Sequence, residues 1–224
     1  MLFTIDVHHH ILPDVFWRAT NDAHNPVGGI SPAPWSKEST LSYMDDAETN
    51  VAITSISTPG VHMGDDAAAR DLARRVNEIS AELIKQRPDR FGGFAALPLP
   101  DVDGALRALE YGLDVLKLDG VVLFSNARGI YLGDTRFRPL FDELERRAAV
   151  VFVRMLRSVV GMGQVLFGSD YPYLRRDLAV SCRSEVESSA ELQANEPRAV
   201  LAGNAFKLFP RFAGHAATQT TNTA

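Results

Sequence analysis

Histidine is missing from residue 63 to residue 214; the six present are His8, His9, His10, His24, His62 and His215. Cysteine is nearly missing as well. Cys182 is the only one, so no disulfide can form within the chain, and a reducing, cytoplasmic setting is expected. No apolar run approaches the roughly 18–20 residues that span a bilayer. The first residues lack the basic segment and small-residue cleavage site of a signal peptide, so none is expected. Positive charge is not in excess: 23 Lys and Arg against 28 Asp and Glu leave a net charge of −5. That excludes the basic stripe of a nucleic-acid-binding surface.

What is present is enough apolar material for a sizeable core, 46% of 224 residues. Short β-branched segments alternate with longer stretches of helical period. Strands are predicted at 2–7, 51–57, 91–98, 118–125, 149–153 and 164–170. Helices are predicted at 39–50 with Ser39 as N-cap, at 64–86, at 101–115 with Asp101 as N-cap, at 134–147, and over most of 175–209. In the second of these, Ala68, Leu72, Val76, Ile79 and Leu83 recur at three- and four-residue steps. Residues 11–39 read as a long loop, and the polar tail at 213–224 as disordered. Strands that are apolar on both faces and separated by helices indicate an α/β fold with a parallel sheet. The repeat length suits a (β/α)8 barrel or a doubly wound sheet. Only six strands are found, and the stretch between 153 and 164 is too short for a crossover to a parallel neighbour.

Two segments carry chemistry. In DVHHHILP (6–13), His8 and His10 are two apart and share one face of a strand. Asp6 is assigned to that same face and His9 to the opposite one. Imidazole nitrogens ligate zinc, and also iron, nickel and copper; the plainer alternative is a surface histidine cluster. In QVLFGSDYPY (164–173), Asp170 stands at the tip of a strand. A carboxylate there can ligate a metal or act as a general base, or it can simply cap a turn.

Taken in order, DVHHHILP, RFGGFAALPLPD (90–101), LDGVVLFSN (118–126), LGDTRFRPLFDELERR (132–147), VLFGSDYPY (165–173) and GNAFKLF (203–209) resemble the amidohydrolase-related family. The nearest branch is the aminocarboxymuconate-semialdehyde decarboxylase type, and the resemblance covers most of residues 1–212. It implies a metal-dependent (β/α)8 barrel that decarboxylates or hydrolyses a small organic acid. It implies His8, His10 and Asp170 as ligands of a divalent metal, zinc first, with Asp170 also catalytic as a proton acceptor. Asn204 is expected to be structural.

The family pattern also carries a histidine at the tip of strand five, followed by proline. Here that strand reads AVVFVRM, and Arg154 takes the histidine's place. Arginine has no lone pair for a metal. Spacing of about 40 residues per βα unit puts the missing material after about residue 154 at roughly a hundred residues. A barrel truncated to about six βα units is therefore expected, with open edges that favour homo-oligomers. Two functions follow: a metal-dependent decarboxylase or hydrolase, or a catalytically inactive truncated relative that at most binds metal or a partner. His62 after strand two, and Ser125 and Asn126 at the end of strand four, are candidate substrate contacts; an exposed loop histidine and a turn are the alternatives. His24 lies in the first long loop, and Cys182 reads as an inert thiol.

Overall fold

The computed structural model describes residues 2–20, 35–153, 164–190 and 192–215. His24, Arg154 and residues 216–224 of the tail lie outside them. The apolar runs form β1 (Ile5–His10), β2 (Val51–Ser55), β3 (Phe91–Ala96) and β4 (Gly120–Leu123). A short antiparallel hairpin follows, β5 (Asn126–Ala127) with β6 (Ile130–Tyr131), and then β7 (Val151–Val153). The hairpin was not legible as separate strands in the sequence. The helices are α1 (Asp14–Thr20), α2 (Lys37–Asp46), α3 (Asp66–Gln86), α4 (Val102–Glu110), α5 (Arg138–Arg146), α6 (Arg176–Ser188), α7 (Glu196–Arg198) and α8 (Ala205–Leu208). Among the described residues, no helix is long and apolar enough to cross a membrane.

Helix starts follow from side chains that satisfy free backbone N–H groups. Asp65 accepts from Ala68 N at the head of α3, and Asp101 accepts from Gly104 N at the head of α4. Ser36, rather than the expected Ser39, caps α2. The two serines exchange bonds of 3.0 Å, each hydroxyl taking the other's backbone N–H. This is a capping box in which a second serine stands where Glu or Gln is usual, so the sequence signal is easily missed.

Five strands pair in parallel in the order β1-β2-β3-β4-β7. The expected sixth strand, 164–170, is not a regular strand. It does lie against the free side of β1, through Val7 N to Phe167 O (2.9 Å), Asp170 N to His8 O (2.9 Å) and His10 N to Tyr171 O (2.8 Å). Asp170 has φ 57°, a left-handed conformation that extended backbone cannot accommodate, and so the ladder breaks there.

The sheet is curled. In a flat sheet β1 and β7 would be about 19 Å apart, four spacings of about 4.8 Å. Yet the rings of His8 on β1 and Phe152 on β7 lie 5.3 Å apart, and Phe152 stacks on Phe94 of β3 at 5.5 Å. His8, Phe94 and Phe152 therefore share the concave side of a half-barrel. One buried cluster, including Ile5, Ile53, Phe94, Val122, Phe209 and Phe212, joins the sheet to the C-terminal turns. A second, with Leu109, Val121, Leu140 and Leu144, lies under α4 and α5.

Two buried polar side chains hold layers together. Asn77 of α3 gives its amide to Ala96 O (3.1 Å) and accepts from Ala96 N (2.8 Å), acting as a strand partner for the end of β3. Arg183 of α6 reaches Thr4 Oγ1 (3.0 Å) and Glu48 (2.7 Å), pinning α6 to the start of β1. Asn77→Ala leaves both backbone groups of Ala96 buried and unpaired. The expected loss is about 2–4 kcal/mol of unfolding free energy, measured by urea denaturation; a loss under about 0.5 kcal/mol would show that water replaces the amide.

Candidate metal centre

The pairing of β1 with β2 runs Ile5↔Val51 and Asp6↔Ala52, then His9↔Thr54 and His10↔Ser55. Between Asp6 and His9, β1 advances three residues while β2 advances two. This bulge carries one extra residue and inverts the alternation of side chains. His8 and His10 still meet, as expected. Asp6 does not share their face; it is brought together with His9, contrary to the strict two-residue alternation assumed from the sequence.

Asp6 is fully buried and accepts four hydrogen bonds. Oδ1 takes His8 N–H (3.1 Å) and Ser169 N–H (3.0 Å); Oδ2 takes the Ser169 hydroxyl (2.5 Å) and His9 Nδ1–H (3.0 Å). Burial pushes its pKa up, but the bonds and charge of His9 and the bonds of Ser169 outweigh it, so the carboxyl stays below its ordinary range. The His9 ring lies 5.2 Å from Tyr171, which stacks at 3.9 Å on Tyr43.

This lock sets the position of the following residue. Asp170 Oδ1 is 3.2 Å from His8 Nε2 and 3.2 Å from His10 Nε2, and the two imidazole nitrogens are 3.0 Å apart. His10 Nδ1 faces the Ser55 carbonyl at 3.4 Å. The Ser55 hydroxyl lies at the same distance from Nδ1; with Nδ1 donating to the carbonyl, Nε2 would keep its lone pair for a metal. Burial raises the Asp170 pKa, but hydrogen bonds from His10 and His8 and their charge hold the carboxyl well below the usual carboxylate range. It is ionised at neutral pH and offers its lone pairs.

Three electron-rich atoms at such spacing repel unless a proton or a cation lies among them. Zinc with tetrahedral ligands at about 2.0–2.1 Å holds those ligands about 3.3 Å apart, and a six-coordinate ion holds them at about 3.0 Å. The donor set of His8, His10 and Asp170, and its spacing, fit a divalent metal.

Each residue of Gly168-Ser169-Asp170 now has a physical reason. A Cβ on Gly168 would lie 2.5 Å from His8 Cβ, so only glycine allows the approach. Ser169 bonds Asp6, and Asp170 meets the histidines. Asn204, buried, donates to Val165 O (3.0 Å) and holds this segment from behind, in keeping with the structural role expected of it. The lock of Asp6, His9 and Ser169 was missed as a unit. Its signal was an acid inside an otherwise apolar strand, which must find partners when buried.

His62, Ser125 and Asn126 are not at this cluster. They line a separate cavity of about 540 Å³ formed by the loops after β2, β3 and β4. His62 is buried rather than exposed: Nε2 donates to Asp66 (2.8 Å) and Nδ1 accepts from Gly64 N (3.2 Å). Asn126 accepts from Gly129 N (3.2 Å), a turn contact. Cys182 is half-buried, its thiol bonded to Leu178 O and its pKa raised by burial, which fits an inert group.

The amidohydrolase family profile matches residues 5–155. Decarboxylase macB of Penicillium terrestre is 39% identical over 155 residues, 66% of this chain and 46% of that protein. The 6-methylsalicylic acid decarboxylase of Penicillium expansum is 34% identical over 179 residues, 75% of this chain and 55% of that one. The chain thus spans about half the length of these curated relatives. Among solved structures, an amidohydrolase II superposes with a TM-score of 0.83 at 20% identity, over 92% of this chain and 99% of that one. A dihydroxybenzoic acid decarboxylase from Polaromonas sp. JS666, with bound manganese and the inhibitor 2-nitroresorcinol, superposes with a TM-score of 0.76 at 15% identity, over 94% and 97%. At those identities the likeness establishes the fold, a curled parallel sheet of TIM-barrel type.

Ser169→Ala removes a charge-assisted bond to buried Asp6. It is expected to cost about 1.5–3 kcal/mol in urea unfolding and to weaken divalent-metal binding, read by competition with a chromogenic chelator. Unchanged metal affinity would mean that Asp170 is positioned without the lock.

Proposed function

The chain belongs to the amidohydrolase family, and on that premise we propose that it is a metal-dependent carbon–carbon lyase that decarboxylates a small aromatic acid. The observation that carries this reading is the convergence of His8 Nε2, His10 Nε2 and Asp170 Oδ1 within 3.2 Å, from segments 160 residues apart. The names of the Penicillium relatives and the manganese in the Polaromonas structure support it.

His8, His10 and Asp170 would hold the ion. Two imidazoles and a carboxylate favour zinc, with manganese the competitor by analogy with the Polaromonas protein. A divalent ion bound there supplies Lewis acidity at a substrate oxygen and stabilises negative charge as carbon dioxide departs. Breaking the ring–carboxylate bond leaves an electron pair on the ring carbon, which must take a proton. Asp170, partly open to solvent, would take that proton from solvent and deliver it to the ring carbon, so that the arenecarboxylate and one proton give the arene and carbon dioxide. His10 is oriented by Ser55, and His8 lies against Phe152, whose ring keeps that side of the cluster apolar.

One observation favours a second reading, a relative that holds metal without turnover. No histidine occurs between residues 63 and 214, and the family match ends at residue 155, where a segment is inferred to be missing.

Elemental analysis of the tag-free protein is expected to give about one divalent ion per chain, lost in His8→Ala and in Asp170→Ala. Loaded protein is then tested for carbon dioxide release from 6-methylsalicylate. Release that vanishes in His10→Ala supports the lyase. Metal without release, or no metal in the wild type, rejects the lyase and supports the inactive relative.

A further inference from the structure

The 540 Å³ cavity is within the size range of small-molecule sites, and the lock and the metal cluster leave it unused. It opens at the same end of the sheet as the cluster, since the loops that form it follow β2, β3 and β4, but His8, His10 and Asp170 do not line it. Its floor and wall are apolar: Leu97, Leu99, Val122, Leu123 and Phe124. Its lining contains no carboxylate and one arginine, Arg128. In a chain of net charge −5, that local balance favours an anion.

Arg128 is held in an unusual way. It is the first of two residues that join β5 to β6, with φ 55° at Arg128 and 82° at Gly129. Left-handed backbone at both positions is the requirement of a tight hairpin turn in which Asn-Gly or Gly-Gly is favoured. Arginine gains nothing from that conformation, so its presence is explained by its side chain rather than by the turn. The guanidinium crosses to the loop before α3: a Cβ built on Gly64 would meet Nη2 at 3.7 Å. Arg128 and His62 both line the cavity. His62 is itself engaged with Asp66 and Gly64, which leaves Arg128 as the charged donor.

We propose that this cavity binds a small carboxylic acid with an apolar body, the body on the Leu97–Phe124 floor and the carboxylate on Arg128. The site is distinct from the metal cluster, and binding there requires neither metal nor turnover. An exposed arginine fork that pairs with a carboxylate at the edge of a low-dielectric cavity contributes several-fold to affinity.

The test uses benzoate and its neutral isostere benzamide, titrated by NMR into chelator-treated full-length protein, wild type and Arg128→Asn. Asparagine suits the turn, so the variant is expected to keep or raise the melting temperature. Saturable benzoate binding, weakened about five- to tenfold in Arg128→Asn while benzamide is unaffected, supports the proposal. No saturable benzoate binding to wild type overturns it. Equal benzoate affinity in the two proteins overturns it as well, as does a lowered melting temperature in Arg128→Asn, which would make Arg128 a structural strut. Failure of the lyase reading looks different: benzoate binding intact, but no carbon dioxide release from the metal-loaded chain.

Discussion

The buried carboxylate of Asp6 is the interaction on which the rest of this structure depends. An ionised acid inside a protein costs several kcal/mol unless its charge is met. Here it is met by four donors, two from its own strand and two from Ser169. Because those donors lie 163 residues apart in sequence from the acid at their most distant, satisfying one charge joins the first strand to the segment near the other end of the chain. The backbone bonds of Phe167, Asp170 and Tyr171 to β1 extend that junction on either side.

The bulge in β1 makes the junction and the metal cluster compatible. A regular strand would place Asp6 beside His8 and His10, and a second acidic group would then compete for whatever those histidines bind. The extra residue turns Asp6 and His9 to the buried side and leaves the other two histidines for Asp170. A buried acid that organises and a half-exposed acid that faces two histidines are thus kept on different faces by one residue of register, and the partners of each hold its pKa below the ordinary range.

Curling is the second constraint. Contacts among His8, Phe152 and Phe94 close the concave side, and a cluster at the strand ends is backed by aromatic rings although the barrel is incomplete among the described residues. The loops that follow β2, β3 and β4 open at the same end, as in barrels generally, so the cavity under Arg128 and the metal cluster look out from one face. A chain of about half its relatives' length keeps the parts of a barrel mouth that its first strands and last segment can build.

Much of this was determined by the sequence alone. The α/β class, the parallel sheet and the cap at Asp101 follow from local periodicity and local hydrogen bonding, which short windows of residues contain. The trio of His8, His10 and Asp170 was expected from the family resemblance that the two motifs carry, and the fold brings its three atoms together. Four features were decided only by tertiary structure. The bulge depends on pairing with β2, so it reversed the expected side of Asp6. The irregular path of 165–171 follows from the left-handed Asp170, held by His8 and His10. The burial of His62 depends on Asp66 and Gly64 closing around it. The hairpin that carries Arg128 to the cavity mouth has strands too short to give a period. In each case the deciding partner is another segment's backbone or charge, and no local pattern records where that partner will be.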